Sequence, residues 1–193
     1  MSLSPIKNKI LETMLLIDKP AKAMRIAKEV SKEFPSVMMH IIGLTRMGYI
    51  TSPEKSLYAL TERAKSVLGI PEINEENAKK VLAEMRLDQS FHFYASVGKP
   101  VGLQAYSLQD FRDKILKVNL DSIEFHESRG DFESWFIGLG DVELAKKVAL
   151  LKEKKMEGEE LRSRLHDIVE KRCAVLTKMA ERSFLVKSAI SGA

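Results

Sequence analysis

Apolar positions in the first seventy residues recur at helical spacing and then give way to short strand-like runs. Pro5 is well placed to begin the first helix, because a proline at the first helical position loses no needed hydrogen bond. Gly48 is well placed to end the third, because glycine readily adopts the left-handed conformation just beyond a helix. The pattern predicts helices over 5–17, 21–30 and 35–47, a hairpin of strands over 49–51 and 57–60, and a helix over 62–68.

This order of elements resembles the winged helix-turn-helix domain of archaeal and bacterial transcriptional regulators. The resemblance covers about a third of the chain and rests on the stretches AMRIAKEV, GLTRMGYI and YALTERAKSVL. In that family the third helix enters the major groove of DNA, and the hairpin, or wing, touches the neighbouring phosphates. The resemblance therefore implies that six side chains of the third helix face DNA: Ser36, Met38, Met39, Ile42, Thr45 and Arg46.

The composition of that face limits what it can read. Met and Ile make no paired hydrogen bonds with base edges, and offer only contact with thymine methyl groups. DNA affinity is therefore expected to come mainly from phosphate contacts, with modest sequence selectivity. The cations expected to make them are Lys22, Arg25, Lys28, Lys32, Arg46 and Lys55. The alternative is that the apolar residues bind a protein, since contiguous apolar area on a small domain usually marks an interface.

Charge is distributed unevenly along the chain. Residues 1–70 contain 11 Lys and Arg against 6 Asp and Glu, a net charge of +5, whereas the remainder has 20 against 21, a net charge of −1. A basic domain joined to a nearly neutral one is typical of a polyanion binder with an attached module. A solvated, lysine-rich surface is the alternative.

A change of pattern near residue 71 separates the second part of the chain. Pro71 interrupts the helical pattern, so two domains are predicted, 1–70 and 71–193. Asn74 is a suitable N-cap for a helix that continues to about Leu87.

Beyond that helix, polar and apolar residues alternate near 90–106 and predict a strand hairpin. Ser107 then opens a helix that is expected to bury Phe111, Ile115 and Leu116. The predicted fold class is α+β, mostly α. An N-terminal winged helix precedes a helical domain with a small β-hairpin and a long C-terminal helix.

Residues 90 to 150 resemble an uncharacterised prokaryotic domain family that is found beside sugar-metabolism enzymes and DNA-binding modules. The resemblance rests on the stretches FHFYASVGKPVGLQAYSLQDF and DSIEFHESRGDFESWFIGLGDVELAKKV. It implies no activity.

Metal-capable side chains crowd into ten residues of the second domain: Glu124, His126, Glu127, Asp131 and Glu133. Some of these carboxylates fall at the spacing of a helical metal site, but an exposed acidic face has the same spacing. We expect His126 and Arg129 to pair with neighbouring carboxylates at the turn near Gly130, and we predict no metal.

The glycine-containing stretches do not match catalytic or nucleotide-binding motifs. SVGKPVG lacks the length and the following Ser or Thr of a phosphate-binding loop, and GLGD lacks the third glycine of a dinucleotide fingerprint. The sequence contains no serine nucleophile elbow, zinc-protease helix or paired-cysteine site. We therefore predict no catalysis and no cofactor; an enzyme acting on sugars or phosphates is the weakest alternative.

A long helix is predicted over 158–187, with apolar residues on one side. About 25 helical residues extend roughly 37 Å, beyond the width of a small domain, so the apolar side is expected to pack against a second copy. The predicted dimerisation residues are Leu161, Leu165, Ile168, Leu176 and Phe184. The alternative is that this helix packs on its own chain.

The chain shows no sign of membrane insertion or export. No apolar run approaches the roughly 18 residues that span a bilayer, no signal-peptide pattern is present, and the single Cys173 agrees with a reducing compartment. We therefore predict a cytoplasmic, homodimeric transcriptional regulator that binds double-stranded DNA. The alternative function is a protein-interaction adaptor whose winged helix no longer reads DNA.

Overall fold

The computed structural model describes residues 3–190, with side chains described as far as residue 181. Within that range helices predominate, accompanied by two small antiparallel sheets and a long C-terminal helix. The chain divides into two units, Met1–Glu72 and Ile73–Ala193.

The N-terminal unit combines helices with a three-stranded antiparallel sheet in the order β1-β3-β2. Its strand register pairs Ala21 with Tyr58 and Ile50 with Leu60. In chain order the elements are α1 (Pro5–Ile17), β1 (Ala21–Lys22), α2 (Ala23–Val30), α3 (Phe34–Arg46), β2 (Ile50–Glu54), β3 (Leu57–Leu60) and α4 (Glu62–Val67).

Helical periodicity explains how this unit forms its core. Val37, Ile41 and Leu44 lie on one side of α3 and are fully buried against apolar residues of α1 and α2. Gly48 follows α3 with a φ of 76°, as predicted for a residue that ends a helix. The Thr61 hydroxyl accepts a hydrogen bond from Ala64 N–H and so caps α4.

Two predictions for this unit need correction. The second helix begins at Ala23 rather than at residue 21, because Ala21 and Lys22 pair with β3 as a short strand. Met38, predicted to face DNA, is instead half-buried against the core, and its sulfur accepts a hydrogen bond from the Tyr58 hydroxyl at 3.9 Å. Its position beside Val37 places it at the edge of the buried side of α3.

The C-terminal unit packs helices around a two-stranded antiparallel hairpin, in which Phe91 pairs with Ala105. Its elements are α5 (Glu75–Leu82), β4 (Phe91–Ser96), β5 (Lys99–Ala105), α6 (Leu108–Ile115), α7 (Leu120–Arg129), α8 (Asp131–Leu139), α9 (Val142–Lys152) and α10 (Gly158–Ile190). The Asn74 and Ser107 side chains cap α5 and α6, as predicted.

Aromatic rings fill the space between the hairpin and helices α6 to α8. The ring of Phe91 lies 4.9 to 5.5 Å from those of Phe93, Phe111, Phe132 and Trp135. Most of these pairs meet edge to face, which aromatic rings prefer to direct stacking. The Trp135 indole N–H also donates to the Gln89 carbonyl at 3.0 Å, so this core holds both the hairpin and α8.

A buried ion cluster joins α9 to α10. The Arg172 guanidinium lies 2.7 Å from the Asp141 carboxylate and 2.9 Å from that of Glu143, and Lys147 lies 2.9 Å from Glu143. All four side chains are buried. Asp141 also accepts a hydrogen bond from Leu144 N–H and caps α9, as predicted. Two carboxylates and two cations balance one another, as burial of charge requires.

Two local predictions for this unit are wrong. The helix that begins after Asn74 ends at Leu82 rather than near Leu87, because the chain becomes extended at Ala83 and Met85 N–H donates to the Tyr106 carbonyl at 2.7 Å. Leu116 follows the last residue of α6 and is exposed rather than buried.

The predicted dimerisation stripe is also corrected. Leu161, Leu165, Ile168 and Leu176 are buried within their own chain, with Leu165 1% exposed and Leu176 fully covered. Helices α5, α6, α7 and α9 pack against α10 and supply the apolar contacts that were expected from a second copy. The alternative, packing on the same chain, is therefore observed. Phe184 lies outside the residues whose side chains the structure describes.

The Arg172→Met variant tests the contribution of the buried ion cluster. Met fills a similar space but leaves Asp141 and Glu143 without their guanidinium partner, so the free energy of unfolding should fall by about 3 to 5 kcal/mol. Urea denaturation followed by circular dichroism measures this loss. Lys171→Met, at the neighbouring exposed position of α10, is the control and should change stability by less than about 0.5 kcal/mol. Equal effects of the two substitutions would contradict the assignment.

Candidate functional site

The outward side of α3 is the first surface with functional potential. Ser36, Met39, Gly43 and Arg46 follow one another at intervals of three, four and three residues, which places them opposite the buried stripe. Met39 is 71% exposed, and Ile42, which flanks this row, is 42% exposed. No side chain projects at Gly43, so another molecule could approach the helix closely there.

Exposed cationic side chains lie on α3 itself, on and beside α2, and in the turn between β2 and β3. All six predicted phosphate-contacting residues are exposed, and none has an ion-pair partner within the part of the chain whose side chains are described. Lys22, Arg25 and Lys28 recur every three residues at the start and along one side of α2. Lys55 lies in the turn between β2 and β3, beside Ser56 with its φ of 65°. These cations therefore keep their charges available.

The polar groups on the outward side of α3 are few. The Thr45 hydroxyl donates a 2.9 Å hydrogen bond to the Ile41 carbonyl. The Thr45 hydroxyl oxygen can therefore only accept a hydrogen bond from another molecule. Ser36 and Arg46 are the predicted residues that retain outward-facing donors. The surface can therefore contact phosphates more readily than it can distinguish bases.

A pocket of about 330 Å³ lies in the C-terminal unit, between β4 and α7. Its lining is mainly apolar and aromatic, with a few polar groups. The lining residues are Phe91, His92, Tyr94, Ser96, Val97, Phe125, His126, Arg129 and Asp131. Pockets with mostly apolar walls and a small number of convergent polar groups are typical of small-molecule sites.

His126 forms the floor of this pocket and joins three parts of the unit. Its Nε2 accepts a hydrogen bond from Tyr94 N–H at 2.8 Å, and its Nδ1 lies 2.8 Å from the Asp131 carboxylate. A backbone N–H can only donate, so Nε2 carries no proton and Nδ1–H donates to Asp131. Burial lowers the pKa of His126, although the nearby Asp131 carboxylate opposes that shift.

Arg129 borders the same pocket. Its Nε donates to the Asp131 carboxylate at 3.1 Å, and its guanidinium carbon lies 5.1 Å from the centre of the Phe125 ring. The prediction that His126 and Arg129 pair with a carboxylate beside Gly130 is therefore confirmed, with Asp131 as the shared partner. The two terminal nitrogens of Arg129 have no partner among residues 3–181.

Two of the metal-capable carboxylates of this region serve other contacts. Glu124 accepts a hydrogen bond from Gly158 N–H at 2.9 Å, while Asp131 receives His126 and Arg129. Over the described part of the chain, no three His, Cys, Asp or Glu residues form a group able to hold a metal ion. Cys173 is buried, and burial raises the pKa of its thiol to about 11.

Sequence reasoning found His126, Arg129 and Asp131 but missed the pocket. The alternation in SFHFYASV carried a signal for it, since Phe91 and Phe93 are buried while His92, Tyr94 and Ser96 are only partly covered. The alternation could not reveal that α7 packs against β4 and forms the other side of the pocket.

The His126→Gln variant tests the imidazole bridge through its pH dependence. A histidine whose pKa is lower in the folded state than its usual 6.5 stabilises the fold fully above pH 6.5. That contribution is lost as pH falls from 6.5 through the folded-state pKa. The wild-type free energy of unfolding should therefore decrease over that range, and this decrease should be smaller in the variant.

At pH 7.5 the same variant should be less stable by about 1 to 3 kcal/mol, because Tyr94 N–H and Asp131 lose their shared partner. Urea titrations at pH 7.5, 6.5 and 5.5 measure both effects. His40→Gln, which removes a histidine of the N-terminal unit that is not part of this bridge, is the control with which the profile is compared. An unchanged profile in the His126 variant would refute the bridge.

No curated protein and no solved structure matches the chain. In the described residues, no helix combines the length and apolarity needed to cross a membrane. A model of a family of unknown function, DUF5752, matches residues 70–170, just over half of the chain, and this range contains the pocket. The chain therefore belongs to the DUF5752 family.

Proposed function

We propose that this protein is a DNA-binding transcriptional regulator whose N-terminal unit is a winged helix. In this proposal α3 lies in the major groove, and the hairpin of β2 and β3 is the wing that touches a neighbouring phosphate. The observation that carries the proposal is the set of exposed cations around α2, α3 and the hairpin turn. They have no carboxylate partner among the described side chains.

Unpaired cations favour a polyanion as the partner for a physical reason. A lysine already held by a carboxylate must break that pair before it neutralises a phosphate, whereas these side chains are free to do so directly. Each phosphate contact releases condensed counterions from DNA, which makes the affinity strongly salt-dependent. The net charge of +5 on residues 1–70 has the sign that this mechanism needs.

The same surface supports only modest sequence selectivity. Ser36 and Arg46 can form hydrogen bonds with bases, whereas Met39 and Ile42 can only contact thymine methyl groups. Glu54 lies next to Lys55 at the wing turn and would repel a phosphate there. We therefore propose that phosphate contacts dominate the binding energy.

A protein-interaction adaptor is the second candidate function. Met39 and Ile42 are exposed on α3, and Met24 of α2 is exposed as well, which is unusual for large apolar side chains on a small domain. Methionine adapts its shape readily and is common on protein-binding surfaces. In this alternative, the winged helix has lost DNA reading and its apolar residues contact a partner protein.

Salt dependence of binding to random duplex DNA tests the primary proposal. If about four to six phosphates are neutralised, the slope of log K against log salt should lie between about −3.5 and −5.5. Fluorescence anisotropy of a labelled duplex, titrated with protein between low and physiological KCl, measures that slope.

The combined variant Arg25→Ala, Lys28→Ala, Arg46→Ala should make the slope shallower by about 3. Arg86→Ala, Lys99→Ala, Lys117→Ala is the matched control, since it removes three exposed cations from the C-terminal unit and changes the net charge equally. Absence of binding at low salt, or equal effects of the two triple variants, would reject DNA binding and favour the adaptor.

A further inference from the structure

We propose that the pocket between β4 and α7 binds a planar aromatic carboxylate. This inference concerns the C-terminal unit and does not depend on whether the N-terminal unit binds DNA. Three features of the pocket lead to it: the nature of its walls, the held guanidinium of Arg129, and the balance of charge around that guanidinium.

Three of the nine lining residues are phenyl or phenol side chains. Phe91, Tyr94 and Phe125 line the pocket, and Val97 adds an exposed apolar edge. Phe91 is anchored by the aromatic core behind it, so this wall is rigid before a ligand arrives. A flat ring fits such walls well, because it gains offset or edge-to-face contacts with them and loses little conformational entropy on binding.

Arg129 is the lining cation, and it is already held in one orientation. Its guanidinium carbon lies over the Phe125 ring, 5.1 Å from the ring centre, and Asp131 accepts the hydrogen bond from its Nε. This leaves the end-on edge, formed by the two terminal nitrogens, without a partner in the described part of the chain. A planar carboxylate matches that edge with two parallel hydrogen bonds, whereas a hydroxyl or a carbonyl uses it only in part.

The charge around Arg129 selects a monoanion. The Asp131 carboxylate lies 3.1 Å from the Arg129 Nε, so apart from the two histidines the lining carries one cationic and one anionic side chain. His126 is neutral in the observed hydrogen-bonding arrangement. A phosphate dianion would face a single cation that is already partly neutralised. A carboxylate adds only one charge. The pocket volume of about 330 Å³ is at the small end of ligand sites and suits one or two fused rings.

Two further polar groups give the pocket a means of selecting substituents. Tyr94 and Ser96 line it, and their hydroxyls have no hydrogen-bond partner among residues 3–181. Each can donate or accept one hydrogen bond. Ring substituents such as a hydroxyl or an amino group would satisfy them, so the natural ligand is expected to be a substituted aromatic acid.

Calorimetric titration of the full chain with 2-naphthoate tests the proposal. 2-Naphthamide keeps the ring and the shape but removes the charge, and octanoate keeps the charge but removes the ring. We expect 2-naphthoate to bind with a dissociation constant of about 1 mM or lower. Its affinity should be about tenfold or more higher than that of 2-naphthamide. Octanoate should bind more weakly than 2-naphthoate.

The NMR resonance of the Tyr94 backbone amide tests where 2-naphthoate binds. This N–H contacts His126 at the pocket floor, so its resonance should shift when 2-naphthoate is added. Arg129→Gln should abolish the preference for the acid over the amide. Arg86→Gln, which alters another exposed arginine of this unit, is the matched control and should preserve it. Ser96→Trp, which fills the pocket, should prevent binding of both compounds.

The proposal is overturned by any of several results. These are no binding of 2-naphthoate up to about 5 mM, equal affinities for the acid and the amide, an equal or higher affinity for octanoate, or an unchanged preference in Arg129→Gln. Thermal unfolding of each variant establishes that it is folded. If Arg129→Gln does not fold, Ser96→Trp still provides an independent result.

Discussion

The C-terminal unit depends on one buried imidazole. His126 accepts a hydrogen bond from the backbone of β4 through one nitrogen and donates to the first residue of α8 through the other, so it joins the hairpin to both α7 and α8. Each nitrogen has one role, and exchanging the proton between them would break both contacts. The imidazole also packs edge to face against Phe91 of the aromatic core, and the Asp131 carboxylate that it contacts accepts the hydrogen bond from Arg129.

A second polar network holds α9 against α10 by a different principle. Arg172, Lys147 and the carboxylates of Asp141 and Glu143 are buried together and neutral as a group. Such clusters add little net stability compared with apolar packing, but they penalise any other arrangement, because one misplaced helix would leave a charge unpaired. The pairing of α9 with α10 is therefore specified by charge as well as by apolar contacts.

Local signals in the sequence predicted much of the fold, but contacts between distant residues remained out of reach. Caps at Thr61, Asn74 and Ser107 and the buried stripe of α3 follow from neighbouring residues alone. The contact between Tyr94 and His126 joins residues 32 apart, and that between Asp141 and Arg172 joins residues 31 apart. No periodicity encodes such pairs. The same limitation led to the incorrect dimer stripe, since the apolar partners of α10 come from four separate helices.

The position of Trp135 determines what an optical measurement of this protein can report. It is the single tryptophan of the chain, and its indole lies in the aromatic core of the C-terminal unit, 5.5 Å from Phe91, which also lines the pocket. Its emission therefore follows the environment of that unit alone. If the two units melt at different temperatures, fluorescence and helical ellipticity will give different midpoints, and a two-state treatment of either signal will misstate the cooperativity of the whole chain.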